Sequence, residues 1–300
     1  MKKLFFVPFA FDQSKKTGVN VTKRDTFNVY MKNICVALVS AKRTTPDVDV
    51  ALVCNMDIPD SYKDILVKNH VLIIQEPFDS FTFADDYQWG LAFYKLCALE
   101  KVVERYPYDY YAYADSDVLV QRSLDPVFEE MKDHIMMYDI NHGLQVADYR
   151  SILSEFREFG IDTCITHYGG EFFGASRENA AVFIAKCKEI HQEMIRRDFR
   201  TTKGDEFIIS VAASYMKEKI KNAGAYIFRF WTGRYYLVST CYQGNGVAIL
   251  HLPVEKSSAL PYIYDKYLVK NRFPTKEKIH KLCHLTKPRL KHRLIKILKK

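Results

Sequence analysis

Residues 110–121 read YYAYADSDVLVQ. Five aromatic or small apolar residues run straight into Asp115-Ser116-Asp117, and a second apolar run, Val118 to Val120, follows at once. A buried, unpaired carboxylate is strongly disfavoured, so two of them beside such runs need a reason. The chain upstream supplies the frame. LFFVPFAF (4–11) is apolar throughout, as a strand covered on both faces is. TFNVYMKNICVALVSAKR (26–43) spaces Phe27, Tyr30, Met31, Ile34 and Leu38 along one helical face and ends in basic residues. A strand over DVDVALVCN (47–55), a short helix over SYKDILVKN (61–69), a strand over VLIIQEP (71–77) and a helix over WGLAFYKLCALEKVVERY (89–106) follow. This alternation predicts an α/β fold with a Rossmann-like, mainly parallel central sheet flanked by helices. Ligands in such sheets bind beyond the carboxyl ends of the strands, where Asp115 and Asp117 lie.

The second half is less regular. Helices are predicted over 151–160, 177–197 and 204–224, and strands over YIFRFW (226–231), YYLVST (235–240) and VAILHLP (247–253). No repeat or low-complexity linker divides the chain, which points to one compact domain over 1–265 with a tail over 266–300.

With 48% hydrophobic and 27% charged residues, the composition is that of a globular protein and excludes a disordered chain. Seven scattered cysteines without a CxxC pair suggest neither zinc nor a disulfide framework, and are expected as reduced, mostly buried thiols in a cytoplasmic protein. The apolar run at the N-terminus is too short for a signal peptide and is broken by Pro8. Residues 276–300 hold ten Lys or Arg against the single Glu277, so of the net charge of +8 the remaining 275 residues carry only −1. A near-neutral body argues against nucleic-acid binding. The tail, with Ile279, Leu282 and Leu285 and then Leu290, Leu294, Ile297 and Leu298 at recurring steps, is expected as a basic amphipathic element. Such an element holds a protein peripherally on an anionic membrane, here the inner face of the plasma membrane. A solvated basic tail is the plainer alternative.

Two carboxylates at i and i+2 where a strand turns into a loop can face one small volume. Mg²⁺ or Mn²⁺ uses such a minimal site and completes its shell with phosphates and water. Asp47 and Asp49 have the same spacing but precede their strand, at the wrong end of the sheet. The strand with its Asp-x-Asp and following VLV resembles the metal-binding element of GT-A glycosyltransferases. The likeness extends upstream: residues 93–120 resemble the lysine-bearing helix and metal strand of glycogenin and the family-eight galactosyltransferases, which places Lys95 near the donor sugar and diphosphate. YGGEFFGAS (168–176) is similar to the family-eight segment that shapes the sugar pocket, and more so to the AIFGGT segment of blood-group-type, family-six enzymes. That similarity implies Gly170 and Glu171 at the donor, with Phe11, Asp12 and Ser116 completing the donor site.

In GDEF (204–207), family-six analogy sets Glu206 beside the anomeric carbon, and family-eight analogy sets Asp205 on sugar hydroxyls. Two acids opening a helix also suit its dipole without any catalytic role. VAILHLPVEK (247–256) resembles the C-terminal family-eight element that supplies a third metal ligand, here His251, with Lys256 as a further donor contact. It departs from that element at Val254, where Gly is expected, in the spacing of Lys256, and in lacking Pro-Trp. Lys95 also reads as a solvent-facing helix lysine, and His251 as a packed residue.

The resemblance implies a metal-dependent, retaining transferase moving a hexose from a UDP-sugar to a glycan or lipid-linked acceptor in cell-surface lipopolysaccharide or capsule synthesis. An inverting route would need a carboxylate base, Glu171 or Glu206. DSDV also fits a haloacid-dehalogenase-type phosphatase, although that family carries its motif on the first strand. A nucleotidyltransferase wants a Gly-rich loop that FDQSKKTGVN (11–20) does not provide. A non-enzymatic, membrane-associated sugar-binding module is a third class.

Overall fold

The structure, a computed structural model, describes residues 1–11, 25–84, 86–87, 90–140, 146–161, 166–233 and 246–286. Its first half alternates β1 (Lys3–Phe9), α1 (Thr26–Thr44), β2 (Asp49–Cys54), α2 (Asp60–Lys68), β3 (Leu72–Gln75), α3 (Tyr94–Arg105) and β4 (Tyr110–Ala114). Then come β5 (Val118–Val120), α4 (Asp125–Glu130), β6 (Ile135–Asp139), α5 (Val146–Glu158), β7 (Tyr168–Ser176), α6 (Arg177–Arg196) and α7 (Asp205–Ser214). The chain continues through β8 (Ile220–Asn222), β9 (Ile227–Arg229), β10 (Ile249–His251), α8 (Ala259–Lys266) and α9 (Lys276–Leu282).

Seven strands form one sheet in the order β3-β2-β1-β4-β7-β6-β8. Only β7 runs against the rest, pairing antiparallel with β4 and β6. The apolar runs of the sequence find their cause in two cores. Phe5, Val7 and Phe9 of β1 face α1, whereas Leu4 and Phe6 face α3 on the other side, and β4 divides in the same way, Ala112 and Ala114 against Tyr111 and Tyr113. A strand covered on both faces has no polar side to show.

Strand order reverses between β1 and β4: β2 and β3 extend from one side of β1, and β4 begins the other. A crevice opens at such a switch point, at the carboxyl ends of both strands. A second sheet, β5-β10-β9, springs from the turn after β4. Its β5 leaves the Asp-Ser-Asp turn and pairs antiparallel with β10, with Val118 opposite His251.

Three local readings change. The helix expected over 204–224 stops at Ser214, because Ile220–Asn222 pairs with Ile135–Met137 of β6 as a sheet-edge strand. Tertiary pairing outweighs helix propensity there. Strand β6 itself was not anticipated; IMMYD is a short apolar run with no periodicity to classify it. At the C-terminal end, Ile279, Cys283 and Leu285 are buried in the core that also holds α1, so the first part of the expected tail packs on the body. YYLVST (235–240) and residues 287–300 lie outside the described residues. The described cysteines, Cys35, Cys54, Cys97, Cys187 and Cys283, are free and buried.

Candidate active site

The turn after β4 is held from both sides by backbone. The Asp115 amide donates to the Glu171 carbonyl (3.0 Å), continuing the β4–β7 ladder, and the Leu252 amide donates to the Asp117 carbonyl (2.9 Å), continuing β5–β10. Asp115 thus sits beside β7, and Asp117 beside the end of β10. One carboxylate oxygen from each Asp and a ring nitrogen of His251 all lie within 4.8 Å of one another. Asp117 and His251 are buried; Asp115 is partly open to the crevice. Ser116, between the carboxylates, is buried as well.

Two lysines flank this group. Lys95, in the first turn of α3, lies 2.9 Å from Asp115 and 3.4 Å from Asp205, and donates to the Gly170 carbonyl at 2.9 Å. Burial acts to lower its pKa, but Asp115 and Asp205 outweigh it and hold the ammonium charged. Lys256 lies 3.1 Å from Asp117 and 5.1 Å from the centre of the Tyr30 ring. Its loop is tied to α1 by Asn33, whose amide donates to the Lys256 carbonyl (3.1 Å). Burial pushes the Asp117 carboxyl up, yet Lys256 and His251 pull it well below the ordinary range.

On the far side, β7, β9 and the start of α7 bring together Glu171, Arg229, Glu206 and His167. Arg229 grips both oxygens of Glu171, Nε to Oε1 at 2.7 Å and Nη2 to Oε2 at 2.6 Å. Burial opposes ionisation of Glu171, but Arg229 and His251 bring it down to about 2. Glu206 lies 3.0 Å from His167 Nε2 and 3.6 Å from Arg229; despite burial, its pKa is lowered by these two partners. Asp205 is the exception. Burial raises it to about 6, with Lys95 only partly compensating and Glu206 and Asp115 adding repulsion.

The adjacent glycines Gly169 and Gly170 of YGGEFFGAS have separate steric causes. A Cβ at Gly169 would stand 1.8 Å from Glu171 Oε2, and one at Gly170 would stand 2.2 Å from Asp205 Oδ2 and 2.9 Å from Lys95 Nζ. Each glycine leaves the space that a buried charge occupies.

Of the residues expected from sequence, Asp115, Asp117, His251, Lys95, Lys256, Ser116, Gly170, Glu171, Asp205 and Glu206 gather around this crevice. Phe11, past the end of β1, stacks on Phe9 (6.4 Å between ring centres) and meets Phe27 edge-on (5.0 Å). Asp12 lies outside the described residues. Asp49 opens β2 and accepts from the Tyr108 hydroxyl (3.0 Å). Arg229, His167 and Tyr30 were missed. Arg229 had a signal, since a guanidinium inside the aromatic run YIFRFW must be paired if that strand is buried.

Five carboxylates (Asp115, Asp117, Glu171, Asp205, Glu206) face three permanently charged bases (Lys95, Lys256, Arg229). Burial acts to lower the His251 pKa, but Asp117 and Glu171 raise it to about 9, so with its imidazolium the cluster keeps one negative charge in excess. With His251 neutral, as a ligand must be, the excess of two matches a divalent cation. So does the donor set, two carboxylates and an imidazole, and so does Asp117 Oδ1, buried and without a hydrogen bond.

Two solved structures share this architecture. Mouse xyloside xylosyltransferase 1, in its apo form, matches with a TM-score of 0.53 at 12% identity, over 83% of this chain and 97% of its own. The bifunctional glycosyltransferase WbbM, also apo, gives 0.58 at 10% identity over 93% of this chain and 51% of its own, so the chain spans about half of that protein. The chain has the GT-A fold. Its sequence matches no family model and no curated protein. Within the GT-A framework the crevice between β1 and β4 is where the Asp-x-Asp turn, the α3 lysine and the β10 histidine converge.

Proposed function

We propose that the protein is a metal-dependent glycosyltransferase that moves a hexose from a UDP-sugar to a glycan or lipid-linked acceptor, with retention at the anomeric carbon. The observation that carries this reading is the convergence of Asp115, Asp117 and His251 at the end of β4, flanked by Lys95 and Lys256, in a GT-A fold. Asp115, Asp117 and His251 would hold Mn²⁺ or Mg²⁺, and such an ion supplies Lewis-acid neutralisation of the leaving diphosphate. Lys95 and Lys256 add fixed positive charge where the sugar–phosphate bond breaks, in a site largely closed to water. Phe11, with Phe9 and Tyr30 behind it, offers aromatic faces at the end of β1 for the donor's base.

Retention is favoured by the state of the candidate bases. Glu171 and Glu206 are both turned toward Arg229 and kept ionised well below neutrality, so each is a weak proton acceptor. A retaining route needs none, because the departing phosphate takes the acceptor's proton. The phosphatase alternative would carry its motif on the first strand, whereas Asp115 follows the fourth, β4.

No helix among the described residues is long and apolar enough to cross a membrane. The seven Lys or Arg of residues 287–300, without one acid, support peripheral attachment to an anionic membrane and an acceptor in cell-surface polysaccharide synthesis. The test of the activity is a panel of nucleotide sugars with Mn²⁺, read as release of nucleoside diphosphate. Turnover of a UDP-hexose that stops in EDTA supports the reading; no turnover of any sugar nucleotide, or release of phosphate from simple monoesters, overturns it.

A further inference from the structure

The expected roles of Glu171 were a donor contact or a base, and the geometry points to a third. We infer that Glu171, locked by Arg229, is a positioning residue that orients the His251 imidazole so that Nε2 faces Asp117 and the cation site. This inference rests on the cation-site reading above.

Four observations lead there. The His251 ring lies between two carboxylates, Nε2 at 3.5 Å from Asp117 Oδ1 and Nδ1 at 3.5 Å from Glu171 Oε1. The side chains of Glu171 and His251 are 0% and 4% exposed, so no water competes for the Nδ1 proton. Both Glu171 oxygens sit in the Arg229 fork, which fixes the carboxylate plane and leaves it no swing toward a ligand in the crevice. Arg229 and His251 are register partners on the parallel strands β9 and β10, so guanidinium and imidazole stand side by side on one sheet and Glu171 reaches both from β7 of the other. The backbone adds to this: Glu171 also accepts the Asp115 amide hydrogen through its carbonyl, so a single residue of β7 sets two of the three proposed cation ligands. Gly169 fits the same arrangement, since any side chain there would displace the Glu171 carboxylate.

The two ring nitrogens of a histidine are distinct, and the partner of one decides which is offered to a ligand. A carboxylate behind a ligating imidazole fixes its tautomer and raises its basicity, and losing such a partner costs about 10- to 100-fold in metal affinity. Glu171 stands where that partner belongs.

The experiment measures Mn²⁺ affinity of the full chain from the EPR signal of free Mn²⁺, for wild type, Glu171→Gln and Glu193→Gln. Ring-nitrogen chemical shifts of His251 are recorded in the Mg²⁺-loaded proteins. Glu171→Gln should bind Mn²⁺ about 10- to 100-fold more weakly and replace a single His251 tautomer by a mixture. Glu193→Gln, on α6 and paired with Arg196 and Arg197 away from the crevice, should bind like wild type. Since Glu171→Gln leaves Arg229 with only Glu206, at 3.6 Å, as counter-charge, the neutral pair Glu171→Gln/Arg229→Gln serves if the single variant does not fold, with the same expectation. Wild-type affinity with a single tautomer in either Glu171 variant overturns the inference. A wild-type protein that binds no Mn²⁺ overturns the cation site itself, and the two failures are distinct.

Discussion

Asp115 and Asp117 are tolerated beside a core because each has a cation, Lys95 for one and Lys256 with His251 for the other. Their replacement should therefore separate chemistry from stability. Asp115→Ala or Asp117→Ala should lose at least about a hundredfold in turnover, the equivalent of roughly 3 kcal/mol of transition-state stabilisation. Wild type in EDTA should fall as far, and an undiminished rate there would remove the metal from the mechanism. Asp205 yields a pH prediction of opposite sign to the usual carboxylate. Its folded pKa, about 6, lies above the ordinary 3.8, so the folded state binds the extra proton between these values. The stability this contributes is complete below about pH 4 and lost as pH rises through 6. Asp205→Asn should thus be more stable than wild type above pH 6, by up to about 3 kcal/mol, and the gain should vanish near pH 4. Urea titrations at pH 4 and 8 decide it; an equal difference at both would mean that Asp205 titrates normally.

At the scale of elements, direction along the strand decides what a carboxylate can do. Asp49 opens β2 and Asp115 follows the end of β4, and since these strands flank β1 in parallel the two carboxylates lie at opposite ends of the sheet. His251→Ala should weaken Mn²⁺ binding, while Asp47→Ala, in the turn before β2, should leave it unchanged in the same titration. The antiparallel strand β7 is as consequential. Because it begins where β4 ends, Gly169, Gly170 and Glu171 face the crevice while Ala175 and Ser176 lie at the other end. A Gly170→Ala substitution drives a methyl into Asp205 and Lys95. Turnover should drop more than tenfold in that variant, with a folded circular-dichroism spectrum retained; normal kinetics would show that the Lys95–Asp205 contact is dispensable.

At the scale of the whole molecule, the net charge of +8 is concentrated at one end of the chain. Residues 276–285 are part of the packed body, so the electrostatic anchor is to be sought in 287–300, whose seven basic residues would each contribute about 1 kcal/mol near an anionic surface. Liposome co-sedimentation of the full chain against a chain ending at residue 286 tests it. The full chain should pellet with anionic vesicles at low salt and release at high salt; equal pelleting of both forms would reduce 287–300 to a solvated tail. Configuration belongs to this scale too, because it depends on how the acceptor approaches the assembled crevice. Proton NMR of product formed from a UDP-α-sugar should show an α-linkage, and a β-linkage would require a base that Glu171 and Glu206 are poorly suited to be.

Sequence alone determined the strands β1 to β4 and the position of the crevice at their carboxyl ends. The run YYAYA and the strands before it are apolar on both faces, and that pattern has few solutions other than a buried parallel sheet with its polar residues at the strand ends. It also singled out Asp115 and Asp117, because charges adjoining buried runs need partners, whereas Lys95 and His251 were expected from the family resemblance. Only the tertiary structure decided who the partners are. Arg229 lies 58 positions from Glu171, and His167 lies 39 from Glu206. No local periodicity encodes such pairings, since they arise where β7, β9, β10 and α7 converge. The end of α7 at Ser214 and the burial of Ile279 and Leu285 have the same origin. In each case a short segment with weak local preference took its conformation, or its degree of burial, from the surface it met.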